Sequence, residues 1–260
     1  MNMSLSNTIL TDAAAIASAR GSSKGGVYRP SSLWNCPRRM ALTYLGYNLV
    51  EPKSEVILAL GTWLHESMLA EFSSLHYEGM RIEHEVRVSY PPLKLSGTAD
   101  LLIHQANSVM LVDLKTGSGR PPKDSWVYQL EAYLRCLQHE VDEKRKAEEA
   151  RLPVLPPEEY QPPQLSAEIW DIHRAYGSLN VFSYSMNEEI WANIQRKIGY
   201  VNDCLESDTL PPMSADPTFD LRDTCDTDCR KCPLHRHCLV ATKKLSTWVS
   251  TLTEGGIIGT

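Results

Sequence analysis

Two groups of residues are of types and spacings that can do chemistry, and the first is acidic. Asp113-Leu114-Lys115 closes one apolar run, and Gly97-Thr98-Ala99-Asp100 leads into another, Leu101-Leu102-Ile103. On a strand, alternation puts Asp113 and Lys115 on one face and Leu114 on the other. Taken alone, such a pair is ordinarily a surface salt bridge. A second carboxylate on a neighbouring strand changes that reading, because two aspartates side by side repel unless a cation lies between them. Hard divalent cations take oxygen ligands of this kind. Lys115 would then stand beside the metal, placed to orient or help deprotonate an attacking water and to stabilise charge on a phosphoryl oxygen. Gln129 and Tyr133 fall at i and i+4 on one helix face. Their polar groups can reach a phosphate or hold Lys115; a satisfied, half-buried helix face is the plain alternative. His65, in Gly61-Thr62-Trp63-Leu64-His65, would add a nitrogen ligand and tilt the preference toward manganese, although a lone helical histidine is usually no ligand. Glu85 is a further acid, more simply read as a solvent-facing strand residue paired with Arg87.

The second group is the cysteines, seven in number. An odd count and the absence of a secretion pattern argue against a disulfide framework and toward metal or cluster ligation. Cys229 and Cys232 are spaced C-x2-C, and Cys238 follows after five residues. Cys225 lies shortly before them, and His235 and His237 are close by. Thiolates at this spacing bind zinc or an iron–sulfur cluster, and spacing alone puts zinc ahead. Cys136 and Cys204 fall on helices and read as buried core thiols.

The elements that must position these residues read as an α/β protein. Helices are expected over Ser31–Tyr44, over Ser54–Phe72 with Ile57, Leu60, Leu64 and Met68 as its apolar stripe, from Asp124 to beyond Gln138, and over Asn187–Leu205. Arg81–Tyr90 alternates strictly, with Ile82, His84, Val86 and Val88 on one face. Ser96–His104 and Ser108–Lys115 follow as strands, and Ala167–Met186 holds one or two more around Gly177-Ser178. Gly117, Gly119, Pro121 and Pro122 form a loop. His139–Gln164 is charged, then proline-rich, and reads as a helix extension and a surface excursion. Residues 1–30 read as a mobile segment, and the tail after Trp248 as frayed.

Composition bounds the function. The chain has 260 residues, net charge −6, 42% hydrophobic and 22% charged residues. That suits one large soluble domain or two small ones. With no membrane-length apolar stretch and no signal-peptide pattern, a cytoplasmic protein with no membrane partner is expected. The acidic balance argues against a non-specific nucleic-acid coat, and no Walker A or Rossmann glycine motif is present. Yet Arg20–Lys53 carries six basic residues against Glu51, and Arg222–Lys244 six against three acids. Brought together, these segments would make a basic surface for DNA. Trp34, Tyr44 and Tyr47 are candidate stacking platforms or, equally, core aromatics.

In order, G-x-x-x-H, G-T-A-D, D-L-K-T-G and Q-L-x-x-Y resemble the RecB-like branch of the PD-(D/E)XK nucleases, over about Gly61 to Tyr133. The resemblance implies a restriction-endonuclease-like central mixed sheet flanked by helices, and Mg- or Mn-dependent hydrolysis of DNA phosphodiesters. By position it makes His65, Asp100 and Asp113 metal ligands, with the Leu114 carbonyl as another, Lys115 the catalytic lysine, and Gln129 and Tyr133 the supporting helix motif. Ser32-Leu33-Trp34-Asn35-Cys36-Pro37-Arg38-Arg39 is similar to the start of the iron–sulfur nucleases of this branch, the CRISPR-associated Cas-four type and its phage relatives. There one early cysteine joins three late ones around a 4Fe-4S cluster. The matching positions are Cys36, Cys229, Cys232 and Cys238, with Cys225 the alternative fourth ligand. Arg38, Arg39 and Trp34 become DNA-binding candidates.

The expected organisation is a nuclease core over 31–222 with the excursion at 139–164, a cysteine cluster at 223–245 packing with 31–50, and a tail at 246–260. The expected function is a 4Fe-4S exonuclease acting on single-stranded DNA ends, 5′-to-3′. One competitor is a DNA-processing or binding subunit that works with a CRISPR integrase or phage recombination proteins. The other is a structural zinc protein without nuclease activity.

Overall fold

The computed structural model describes residues 25–49, 63, 65–72, 75–117, 121–151, 162–173, 176–226, 228–232, 234–239 and 243–259. Expectations for residues 1–24, for Glu51, Lys53, Gly61, Thr62 and Leu64, for Gly119 and for 152–161 of the proline-rich excursion lie outside the described residues. In chain order the elements are α1 (Pro37–Tyr44), β1 (Asn48–Leu49), α2 (65–72), β2 (Met80–Tyr90), β3 (Leu95–Gln105) and β4 (Ser108–Gly117). Then come α3 (Asp124–Arg151), β5 (Gln164–His173), β6 (Leu179–Tyr184), α4 (Glu188–Glu206), α5 (His235–Leu239), α6 (Leu245–Glu254) and β7 (Ile258–Gly259).

Two compact units divide the chain. One gathers the described residues of Met1–Val27, Asn35–Ser67 and Arg196–Thr260; the other gathers Tyr28–Trp34 and those of Met68–Gln195.

The second unit is built on a five-stranded sheet of order β2-β3-β4-β5-β6. β2, β3 and β4 form an antiparallel meander, β4 and β5 run parallel, and β6 returns antiparallel to β5. A parallel pair needs a long crossover, and α3 supplies it, packing over β2, β3, β4 and β5. Asp124 in its first turn suits the positive end of the helix dipole. Beneath α2, Leu69 and Phe72 pack with Leu101, Val112, Leu114 and Trp170. Each such buried side chain stabilises the unit by about 1.5–3 kcal/mol. Glu131 of α3 is fully buried and takes hydrogen bonds from Arg135, the Tyr184 hydroxyl and the Asn187 N–H. One carboxylate thereby joins α3, β6 and the start of α4. The α/β reading, a mixed central sheet flanked by helices, is what the structure shows.

The first unit has its own core, formed by Leu42, Leu234, Leu245, Trp248, Val249, Leu252 and Ile258. β1 and β7 pair antiparallel, Asn48 with Gly259 and Leu49 with Ile258.

Three local expectations are corrected. The helix expected over Ser31–Tyr44 is a 3-10 turn at Pro30–Ser32 followed by α1 from Pro37. Pro37 disfavours helical geometry at the residue before it, and Cys36 is extended, with φ −62° and ψ 155°. Arg81–Tyr90 does not alternate strictly. Ile82 packs with the Leu101–Val112 cluster, whereas Tyr90, of the same parity, meets His139 of α3. Between them Glu85 takes a left-handed φ of 50°, which turns the strand over, and His84 becomes exposed. The tail is not frayed: α6 and β7 bury Trp248, Leu252 and Ile258.

Candidate functional site

β3 and β4 pair from Gln105 opposite Ser108 as far as Leu101 opposite Val112. The next level would set Asp100 against Asp113, and there the backbone ladder stops. In its place the Leu114 N–H donates to Asp100 Oδ2 at 2.7 Å, so a side-chain carboxylate substitutes for a strand carbonyl. On the other side of β3, the pairs His84–Leu101 and Val86–Ala99 also skip the Asp100 level, where the opposing residue is left-handed Glu85. Asp100 therefore lies where the regular pairing lapses on both flanks.

Asp113 is 1% exposed. A buried carboxylate is costly unless paired, and two partners converge on it. Lys115 Nζ lies 2.7 Å from Oδ2, and Gln129 Nε2 donates to Oδ1 at 3.0 Å. Gln129 Oε1 also accepts from Lys115 Nζ at 3.2 Å, closing a ring of three side chains. One helical turn on, Tyr133 meets Gln129 Nε2 at 3.4 Å and donates its hydroxyl proton to the Thr98 carbonyl at 2.8 Å. Burial pushes the Tyr133 phenol well above its ordinary pKa, and the nearby Asp113 and Asp100 charges add to that, so it acts as a neutral donor. Gly97 explains how the tyrosine comes so close. A Cβ there would stand 2.8 Å from Pro30 Cδ and 2.9 Å from Tyr133 Cε1. Only glycine leaves the ring that space.

Two carboxylates at one strand level, one of them buried and reached by an ammonium, are a donor set that suits a hard divalent cation. Asp113, Asp100 and the carbonyl of Leu114 are the groups able to hold one. β4–β5 register also sets Asp171 beside Lys115. Asp171 is fully buried and was not singled out in the sequence, where nothing sets the register of β5 against β4.

The first unit holds a cavity of about 80 Å³ lined by Cys36, Cys229, Cys232 and Cys238, together with Asn35, Arg39, Ser214, Asp228 and His235. Cys225 lies off this lining, buried with Phe219 and Leu221, its thiol directed to the Leu221 and Arg222 carbonyls. Burial pushes the Cys36 thiol up to about 12, and the Cys232 and Cys238 charges contribute to the rise. Arg38 donates to the carbonyls of Pro211 (2.6 Å) and Cys238 (3.0 Å) and lies over Trp248, so its guanidinium ties α1 to the segments that carry those residues. Among the described residues, no three His, Cys, Asp or Glu side chains form a group around a single metal ion.

The structure thus brings Asp100, Asp113, Leu114, Lys115, Gln129 and Tyr133 together in one unit and the four cysteines together in the other. His65 is a half-buried helical residue of the first unit. Trp34 packs edge-on against Tyr128, with ring centroids 4.8 Å apart. Glu85 is exposed, and Cys136 and Cys204 are buried. No described helix is long and apolar enough to cross a membrane.

The crystal structure of SSO0001 is similar to the chain at 15% identity, covering 93% of this chain and 98% of that one with a TM-score of 0.51; at that identity the likeness speaks for the fold alone. An alkaline exonuclease from Laribacter hongkongensis matches at 11% identity over 70% of this chain and 89% of its own, with a TM-score of 0.44. No curated protein sequence matches the chain. The sequence profile of the PD-(D/E)XK nuclease superfamily matches residues 69–239, more than half of the chain and the span that holds Asp100, Asp113, Lys115, Gln129 and Tyr133. The chain belongs to the PD-(D/E)XK nuclease superfamily.

Proposed function

We propose that the protein is a divalent-metal-dependent exonuclease that hydrolyses phosphodiesters at single-stranded DNA ends, with 5′-to-3′ polarity, and that it carries a 4Fe-4S cluster. The observation that supports the nuclease most is the ring of Asp113, Lys115 and Gln129, set where β3 and β4 stop pairing.

Asp113, Asp100 and the Leu114 carbonyl would hold a divalent cation, with His65 the further ligand that the resemblance implies, and the ion would supply positive charge to polarise the phosphate and acidify a water. The side chains do the rest. Lys115 spends two of its three donors on Asp113 and Gln129, which aims the third. At 21% exposure its side chain is reachable by substrate. It stabilises the charge that grows on the phosphoryl oxygens as water attacks in line and the P–O3′ bond breaks. The products are a 5′-phosphate and a 3′-hydroxyl. Gln129 fixes the lysine, and Tyr133 fixes Gln129 against the Thr98 carbonyl. Arg39 and Trp34 remain candidates for strand contact.

The cysteine cavity suits the cluster reading. Cys36, Cys229, Cys232 and Cys238 line one cavity, and four thiolates are the ligand number that a 4Fe-4S cluster takes. Cys36 lines that space and Cys225 does not, which favours Cys36 as the fourth ligand. The cluster would tie α1 to the C-terminal segment. Purified protein incubated with manganese and end-labelled single-stranded DNA tests the activity. Release of mononucleotides or short products from the 5′ end, lost in Asp113→Ala, is expected. Equal cleavage by Asp113→Ala would remove the assignment.

A further inference from the structure

β4 and β5 are parallel and in register, with Lys115 beside Asp171 and Gly117 beside His173. Paired residues of neighbouring strands project to the same face, and residues two apart share it. His173 therefore lies on the face of Asp113 and Lys115, one strand over and one step beyond the lysine. Its imidazole stacks on the ring of Tyr176, with centroids 4.7 Å apart and planes inclined by 28°. The turn that closes β5 onto β6 sets this pair. The N–H groups of Tyr176 and Gly177 both donate to the His173 carbonyl, at 3.3 and 2.8 Å, and Gly177 takes the left-handed φ of 64° that the turn requires. Tyr176 is nevertheless 83% exposed. A ring so open gains little from burial. It is backed by a second ring on one side and offers the rest of its surface to whatever passes the end of β4 and β5.

We propose that the His173–Tyr176 stack is a platform that seats an unpaired nucleobase of the strand entering the Asp113–Lys115 site. The proposal rests on the nuclease reading and specifies its substrate, a single strand with an unstacked base near the scissile phosphate. A base inside a duplex has both faces covered by its neighbours and cannot add to the stack, so the platform selects unpaired DNA. Every base has a ring face, so it does so without sequence preference.

The test uses the full chain and a labelled oligothymidylate, with divalent ions chelated so that binding is read without cleavage. Tyr176→Ala is expected to weaken binding about ten-fold, and Tyr176→Phe and Tyr176→Trp to retain it, as expected for base–aromatic stacking. Affinity for a duplex closed at both ends is expected to be the same in all four proteins. An abasic site stepped along the strand should cost the wild type a similar factor at one position and cost Tyr176→Ala nothing there. If the wild type cleaves single strands with manganese but Tyr176→Ala binds them equally well, the platform is wrong and the nuclease reading stands. If the wild type neither binds nor cleaves them, the underlying reading fails and the platform with it. Should Tyr176→Ala melt early, the abasic scan on the wild type decides alone: a strand with no sensitive position overturns the proposal.

Discussion

The acidic network and the cysteine cavity are held in opposite ways. Every member of the network lies between Thr98 and Tyr133, on two adjacent strands and the helix that follows. Sheet pairing brings the carboxylates to one level, and side-chain hydrogen bonds link them to the helix. The cavity joins Cys36 to Cys229, Cys232 and Cys238 across most of the chain. It is walled by residues of a 3-10 turn and of a five-residue helix, with Arg39 of α1. A site made of near neighbours carries its own order. A site made of distant segments depends on the core beside it and on whatever closes it, because loop closure must be offset before its contacts count.

The comparison is broken most forcefully from the acidic side. Asp113→Asn and Lys115→Ala should each lower kcat on the order of 10³-fold, the scale of losing one preorganised electrostatic contact. Iron content should stay at the wild-type value in both, whereas Lys115→Ala should also lower the melting temperature, because it strips the buried Asp113 carboxylate of its ammonium partner. Cys36→Ala should do the reverse. If the proposed cluster closes so long a loop, losing the closure is worth about 5 kcal/mol in the chain-entropy picture. Denaturant unfolding and iron analysis should show a less stable, iron-free protein; a stable Cys36→Ala that keeps its iron would erase the contrast. Leu252→Ala, in the core beside the cavity, should cost about 3 kcal/mol, read as a fall in melting temperature. Gly97→Ala should cost about 1–3 kcal/mol as an overpacked contact and also reduce kcat, because the new methyl meets Tyr133; a structure or a pH–rate profile of the variant would show the displaced phenol. The smallest effect is expected from Cys225→Ala. It should leave iron content unchanged and cost about 1 kcal/mol or less for the atom removed, as judged by chemical denaturation.

Asp113, Lys115, Gln129 and Tyr133 were legible because their spacing is local. Period two along β4 and the i, i+4 relation along α3 are properties of the elements themselves. The glycine of Gly-Thr-Ala-Asp was legible as a motif but not as a cause; the reason is the approach of Tyr133 and Pro30, made by chain segments far from it in sequence. The end of the chain was misread for a different reason. Leu245, Trp248, Val249 and Leu252 recur at helical spacing, but the small and glycine residues that follow them hid the pattern. Glu85 could not be foreseen, since a left-handed residue inside a strand depends on how β2 pairs with β3, which no local period encodes.

The chain by itself determined the order of the central strands and of the long helices among them, the faces on which Asp113 and Lys115 and then Gln129 and Tyr133 stand, and which cysteines are spaced as a ligand set. These follow from the fixed repeats of strand and helix. Tertiary structure alone decided that the ladder stops between Asp100 and Asp113, that Asp171 and His173 stand level with Lys115 and Gly117, and that Cys36 rather than Cys225 lines the cavity. Register between strands and contact between distant segments are set by packing that no local period encodes.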